Sequence, residues 1–236
     1  MPESNEAILP TNVKPVHYQL TMTPNLEDFS FIGEEVVEIE ILEPSTEISV
    51  NCIEIAIDTC QLTLPDGSRF SASDILFDES QERVRFEFDT RIPVGPARLE
   101  IRFTGELNDK LRGFYRSHYI DVEGRQRYMA ATQFESTDAR RAFPCWDEPS
   151  LKSTFDVILV VPSDLVAVSN MPVLVEVEVS PGVKSIRFTE TPVMSEGSRS
   201  GVNWMRRNVP PIDWAMLRAS IVLPTPGTSS MSRCPP

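Results

Sequence analysis

The side chains of this 236-residue chain with the greatest capacity for chemistry crowd into one stretch, TQFESTDARRAFPCWDEP at 132–149. It sets Glu135, Asp138, Arg140, Arg141, Asp147 and Glu148 among Phe134, Phe143 and Trp146, with prolines at 144 and 149. A surface loop seldom carries so many aromatics, and a core strand seldom carries so many charges. Asp147 and Glu148 suggest a general acid–base pair. Adjacent side chains point to opposite sides of an extended chain, however, whereas a dyad must aim both groups at one bond. Cys145, between Pro144 and Trp146, has no histidine close in sequence to lower its pKa, so it reads as a buried thiol rather than a nucleophile. Arg140 and Arg141 can brace the stretch through Asp138 and Asp147, and the same two arginines can absorb Glu135. On residue types alone, a charged brace is the leading reading.

The elements that must position this stretch are strands. VVEIEIL at 36–42, RVRFEFD at 83–89 and RLEIRFTG at 98–105 alternate apolar and polar residues, which puts apolar side chains on one face and predicts half-buried antiparallel strands. FDVILVV at 155–161, LVAVSN at 165–170, VLVEVEV at 173–179 and KSIRFTE at 184–190 continue the series. PDG at 65–67, PVGP at 93–96 and EG at 123–124 are turn signals between them, at a spacing that suits a sandwich or saddle of paired sheets. Before residue 195 no run of ten or more residues has helical periodicity. The expected fold class is all-β.

Composition removes several functions. The net charge of -13, with only four lysines, argues against holding a phosphate backbone or an anionic membrane surface. No run approaches the roughly 20 apolar residues of a membrane span, and MPESNEAILP lacks the basic and apolar regions of a secretory leader, so the cytosol is the expected compartment. Cys52, Cys60, Cys145 and Cys234 form no CxxC pair, and with only His17 and His118 beside them they do not resemble a zinc module. Buried free thiols are expected.

After Met194 the character changes. Residues 195–236 hold six prolines, three glycines and seven serines, and five arginines against two acids, while residues 1–194 carry 17 basic and 33 acidic side chains. A segment so rich in Pro, Gly and Ser buries little apolar surface against its ordering entropy, so disorder is expected there. The alternative is a short helix over PIDWAMLRAS, 211–220, anchored by Trp204 and Trp214.

The stretch at 132–149 resembles the signature segment of the zinc-dependent aminopeptidases related to aminopeptidase N, most closely the puromycin-sensitive and fungal cytosolic members. LPTNVKPVHYQL at 9–20, FIGEEVVEIEI at 31–41, LRGFYRSHY at 111–119, SNMP at 169–172 and FTETPVMS at 188–195 resemble further blocks of that family, in family order. The resemblance covers about residues 8–195. It implies the family's N-terminal domain over 1–194, a saddle-like, multi-sheet antiparallel β-sandwich, followed by a non-family tail at 195–236. It also implies that Gln133 and Glu135 reach the active site of the whole enzyme. An exopeptidase must tell a free α-ammonium from an internal peptide bond. A fixed carboxylate does so through a charge-assisted hydrogen bond, and a neighbouring amide adds direction. On an extended backbone the two side chains would share a face, with Phe134 behind them. Arg140, Arg141, Asp147 and Glu148 are then the frame of the loop.

The family's zinc requires HExxH and a more distant Glu. Here His17 is followed by YQLT and His118 by YIDV, and the family's Gly-Ala-Met-Glu-Asn motif does not occur. The family continues from PVMS into an apolar strand, whereas this sequence runs into EGSRSGVNWMRRNVPP. The expectation is a fragment cut before its catalytic domain, without a cofactor of its own and inactive alone, that meets peptide N-termini only beside a catalytic domain and can self-associate through the bared inter-domain face. A stand-alone peptide- or protein-binding β-domain is the alternative.

Overall fold

Alternation of apolar and polar residues becomes strand structure along most of the computed structural model, which describes residues 8–121 and 123–194 and the backbone of 221–224. In chain order the strands are β1 (Val13–Asn25), β2 (Ser30–Ile41), β3 (Ser45–Asn51), β4 (Ile55–Thr63), β5 (Arg69–Ser71), β6 (Asp74–Asp78), β7 (Arg83–Ile92) and β8 (Gly95–Glu106). They continue as β9 (Gly113–Ile120), β10 (Gln126–Gln133), β11 (Thr154–Pro162), β12 (Leu165–Val168), β13 (Val173–Ser180), β14 (Val183–Phe188) and β15 (Ile221–Pro224). A single 3-10 turn, Ala139–Arg141, is the one helical element among the described residues.

These strands make three sheets. The largest has eight strands in the order β13-β14-β11-β1-β2-β8-β4-β5, a second has the order β12-β15-β10-β9, and a third has the order β3-β7-β6. The expected all-β, multi-sheet class is therefore present. The antiparallel rule fails at one place: β1 and β11 run parallel, from His17 opposite Thr154 to Met22 opposite Leu159. Hairpin neighbours must be antiparallel, but β11 returns to β1 only after the other two sheets have been started, and a connection that long leaves direction free.

Each turn signal sits between strands. Gly67 has φ +86 between β4 and β5, Gly95 +130 at the start of β8, and Gly124 +77 between β9 and β10. Glycine has a different use in the middle of the large sheet. Phe31 on β2 pairs with Gly105 on β8, and Gly33 on β2 pairs with Phe103 on β8. Each ring lies over the opposite glycine, so that a Cβ on Gly33 would stand 2.2 Å from the Phe103 ring and one on Gly105 2.3 Å from the Phe31 ring. The two buried rings meet edge to face, with centroids 6.5 Å apart. This reciprocal lock sets the register of β2 against β8, because a slip of one residue would drive a ring into a side chain.

The core takes the inward residues of all three sheets, among them Val37, Ile39, Ile48, Val84, Phe86, Leu99 and Ile101. β13 departs from the expected half-burial: all eight of its residues are exposed. It lies at the end of the large sheet, beyond the reach of the core. Of the segment 195–236, residues 221–224 form β15, which pairs with β10 and β12. The rest of that segment, including Trp204, Trp214 and the whole 211–220 run, lies outside the described residues.

Candidate functional site

β10 delivers the 132–149 stretch and ends at Gln133, whose partner on β9 is Gly113. Gly113 has φ +67, and a Cβ there would come within 2.6 Å of the Arg141 Cβ, so only glycine lets the following turn fold down onto β9. Phe134 leaves the strand, and the Asp138 N–H donates to its carbonyl at 3.0 Å. The Glu135–Ser136 peptide inside this turn is cis. Ala139–Arg141 then form the 3-10 turn, and Ala142 to Asp147 run through the interior as a continuous buried segment.

An irregular buried segment must satisfy its backbone one group at a time. Cys145 and Asn51 exchange backbone bonds of 2.7 and 3.0 Å, and the Ile53 N–H donates to the Arg140 carbonyl at 3.1 Å. The Trp146 N–H donates to the Tyr18 hydroxyl at 3.2 Å. Tyr18 itself is fully buried, stacked on Phe155 with centroids 4.9 Å apart and edge-on to Phe143 at 6.0 Å. Farther along, the Leu9 N–H donates to Glu148 Oε1 at 3.2 Å.

The charges form a second frame. Arg140 Nε donates to Asp147 Oδ2 at 3.0 Å and its Nη1 to Glu82 Oε2 at 3.2 Å. Arg141 Nε donates to Asp138 Oδ1 at 2.9 Å, while its Nη1 and Nη2 pair with Glu54 at 2.9 Å and Glu82 at 3.4 Å. One carboxylate, Glu82, therefore bridges both guanidiniums. Glu54 and Glu82 each occupy a left-handed turn position, with φ +59 and +52. Burial pushes the Asp147 carboxyl above the ordinary aspartate range even with Arg140 beside it. Burial also raises Glu54, but Arg141, Lys110 and Arg112 outweigh it and hold that carboxyl below its usual range. Asp147 is a salt-bridged strut, so its raised pKa marks desolvation rather than an acid–base pair with Glu148.

With those pairs made, one carboxylate of the stretch is left over. Asp138, Asp147 and Glu148 all have partners, but Glu135 is exposed and makes no hydrogen bond or ion pair among the described residues. Absorption of Glu135 by Arg140 or Arg141, open on residue types alone, is overturned by the geometry, because both guanidiniums are taken by Asp138, Asp147, Glu54 and Glu82. The half-buried Gln133 likewise makes no side-chain hydrogen bond among the described residues. Gln133 and Glu135 are not two positions of one strand, as an extended backbone would have made them: β10 stops at Gln133, and the turn carries Glu135. Phe134, between them, is half-buried and packs on Phe143 with centroids 5.9 Å apart. Behind it lies an apolar cavity of about 120 Å³ walled by Leu20, Phe114, Phe143, Phe155 and Met194.

Residue types and spacing missed Tyr18, Asn51, Glu54 and Glu82. The last three come from turns and strand ends at least 58 positions from their partners in sequence, where nothing marks them as partners of this loop.

The residues present do not fit a zinc ion. The His17 Nδ1 is hydrogen-bonded to Thr154 Oγ1 at 2.7 Å, and its Nε2 lies 3.9 Å from Asp156, which is itself paired with Arg187. His118 is on β9, in a different sheet. Among the described residues no group of three or more His, Cys, Asp or Glu can hold a metal ion.

Cys52, Cys60 and Cys145 are buried and form no disulfide among the described residues, and Cys234 lies outside them. Burial, with the Glu35 charge nearby, pushes the Cys52 thiol up to about 12 and raises Cys60 as well. At pH 8 the native chain therefore yields at most one fast-reacting thiol to a disulfide reagent, and four after denaturation. Rapid labelling of Cys52 or Cys60 in the native state would contradict this packing.

Residues 14–196 match the sequence profile of the Peptidase M1 N-terminal domain. Aminopeptidase 2 of Candida albicans is 43% identical over 189 residues, which is 80% of this chain and 20% of that protein. Puromycin-sensitive aminopeptidase of Caenorhabditis elegans is 39% identical over 188 residues, 79% of this chain and 20% of its own length. Alanine/arginine aminopeptidase of Saccharomyces cerevisiae is 42% identical over 193 residues, 80% of this chain and 22% of that protein. The chain thus spans about a fifth of the length of these relatives.

Proposed function

The chain belongs to the peptidase M1 N-terminal domain family, and from that premise we propose that it is the substrate-recognition part of an aminopeptidase, with Gln133 and Glu135 receiving the free α-amine of a peptide. The observation that carries this reading is Glu135 itself. On a stretch whose other charges are all engaged, and whose backbone is tied to β1, β3 and the residues after β3, this carboxylate alone is presented without a partner among the described residues. A carboxylate held on a rigid turn forms a charge-assisted hydrogen bond with an ammonium and none with an internal peptide nitrogen. Gln133 adds a neutral donor and acceptor that orients the terminal residue without a second charge.

The hydrolytic step belongs to a catalytic domain. Isolated 1–236 therefore carries no stoichiometric zinc and releases no amino acid from aminoacyl reporter substrates. One zinc per chain by metal analysis, with turnover lost to a chelator, would refute that division of labour. The complementary experiment places residues 9–194 in the corresponding part of Candida albicans Aminopeptidase 2. The chimera hydrolyses free-amine peptides and spares their N-acetylated forms; loss of that discrimination in a folded chimera rejects the recognition role. We also assign the chain to a reducing compartment, the cytosol, since three buried cysteines form no disulfide among the described residues, and we expect self-association where the surface facing a catalytic domain is bare.

A further inference from the structure

β13 closes one end of the eight-stranded sheet, so one side of its backbone has no strand partner among the described residues. Sheet edges of this kind are normally blunted by charged side chains, above all lysine, by proline, by bulges or by a covering element, because a row of free N–H and C=O groups templates another strand. β13 has neither lysine nor proline, and its only charges, Glu176 and Glu178, are both negative, which discourages an acidic strand but not a basic one. Val173, Leu174, Val175, Val177 and Val179 are 44–59% exposed, although the same alternation in β7 and β8 buries its apolar residues. Register shifts between Val173 and Val175 and between Glu178 and Ser180 bound a regular ladder over Val175–Glu178.

The two faces of that ladder differ. Val175 and Val177 pair with Arg187 and Ser185 of β14, while Glu176 and Glu178 pair with Ile186 and Lys184 on the other face. Glu176 is held by Lys184 of β14 at 3.1 Å, and Glu178 accepts the Gly182 N–H of the hairpin turn at 3.1 Å, so both carboxylates are fixed on one face of β13. A strand added here meets methyl groups at one position and a carboxylate at the next. A second copy of this chain fits badly: antiparallel pairing centred on Val177 sets Glu176 against Glu178 of the copy, and like charges directly opposite are destabilising. The net charge of -13 on each chain adds to that repulsion.

We propose that β13 is a strand-acceptor edge whose partner is an extended segment alternating apolar residues with lysine or arginine. Main-chain bonds hold the segment, and the Val175/Val177 and Glu176/Glu178 faces select it. This surface is separate from the Gln133–Glu135 turn and does not depend on the aminopeptidase reading.

The test uses the 236-residue chain and fluorescence anisotropy with labelled eight-residue peptides. An alternating valine–lysine peptide binds at least tenfold more tightly than its valine–glutamate counterpart, and it weakens as salt rises from about 0.05 to about 0.5 M because screening shortens the reach of exposed charges. Glu176→Lys with Glu178→Lys inverts the preference. Val177→Lys, checked for fold by circular dichroism, reduces binding of the valine–lysine peptide at least fivefold and covers the case in which the charge reversal disturbs the Lys184 contact. The valine–lysine peptide N-methylated at every residue does not bind. Equal affinity for the two peptides, undiminished binding of the methylated form, or a dimer in sedimentation that Val177→Lys dissociates would each overturn the proposal, the last by giving the edge to a second copy.

Discussion

Glu135→Ala, made in the chimera that joins residues 9–194 to the catalytic part of Candida albicans Aminopeptidase 2, lowers kcat/KM for aminoacyl reporters by about tenfold to about 150-fold. That range is the roughly 1.5–3 kcal/mol of a hydrogen bond to a charged group, converted at about 1.4 kcal/mol per factor of ten. The loss requires a closed site. A single carboxylate in open water holds an ammonium by about 1 kcal/mol or less, so isolated 1–236 binds the same peptides weakly, with or without Glu135. Glu148→Ala is the control within the same stretch. It removes the acceptor for the Leu9 N–H and leaves kcat/KM of the folded chimera within about threefold. Equal losses for the two variants would return the whole stretch to the role of a brace, and a larger loss for Glu148 would reverse the assignment.

Trp146→Ala destabilises isolated 1–236 by about 3–5 kcal/mol, the cost of deleting a large buried aromatic side chain from a site that cannot collapse around the gap. Trp146 is 1% exposed, and its backbone is pinned to the Tyr18 hydroxyl, which is itself fixed between Phe143 and Phe155. With an m-value of about 2 kcal/mol/M in urea, the unfolding midpoint falls by roughly 1.5–2.5 M. A shift smaller than about 0.5 M would show that the buried segment 142–147 is not part of the cooperative core. The same variant in the chimera also lowers kcat/KM of the surviving folded protein, because the segment that holds the turn of Glu135 has lost its anchor.

The two predictions rest on different kinds of legibility. Period-two alternation in 36–42, 83–89 and 98–105 became strands β2, β7 and β8 because a residue's face on a strand depends only on its parity, a local property. Turns at Gly67, Gly95 and Gly124 were equally local, since glycine takes a positive φ without steric cost and marks such a turn by itself. The same rule misjudged β13, whose residues alternate as cleanly as those of β7 but are all exposed. Alternation states that a strand has two faces; only the sheet order, which puts β13 last, decides whether anything covers one of them.

The candidate site divides in the same way. Residue types alone located the stretch at 132–149 and identified Asp138 and Asp147 as acids that Arg140 and Arg141 can reach, because those partners lie within seven positions. They could not locate Glu54 and Glu82, which reach the arginines from the turns after β3 and before β7. Nor could they locate Tyr18, 128 positions before the Trp146 whose N–H it accepts. Pairing across such separations depends on which sheets close on each other, and short-range spacing carries no information about that. Glu135 is the clearest case. The sequence by itself determined that four acids and two arginines share one short stretch; the tertiary structure decided which acid is left over, because it brought in Glu54 and Glu82 to complete both guanidiniums.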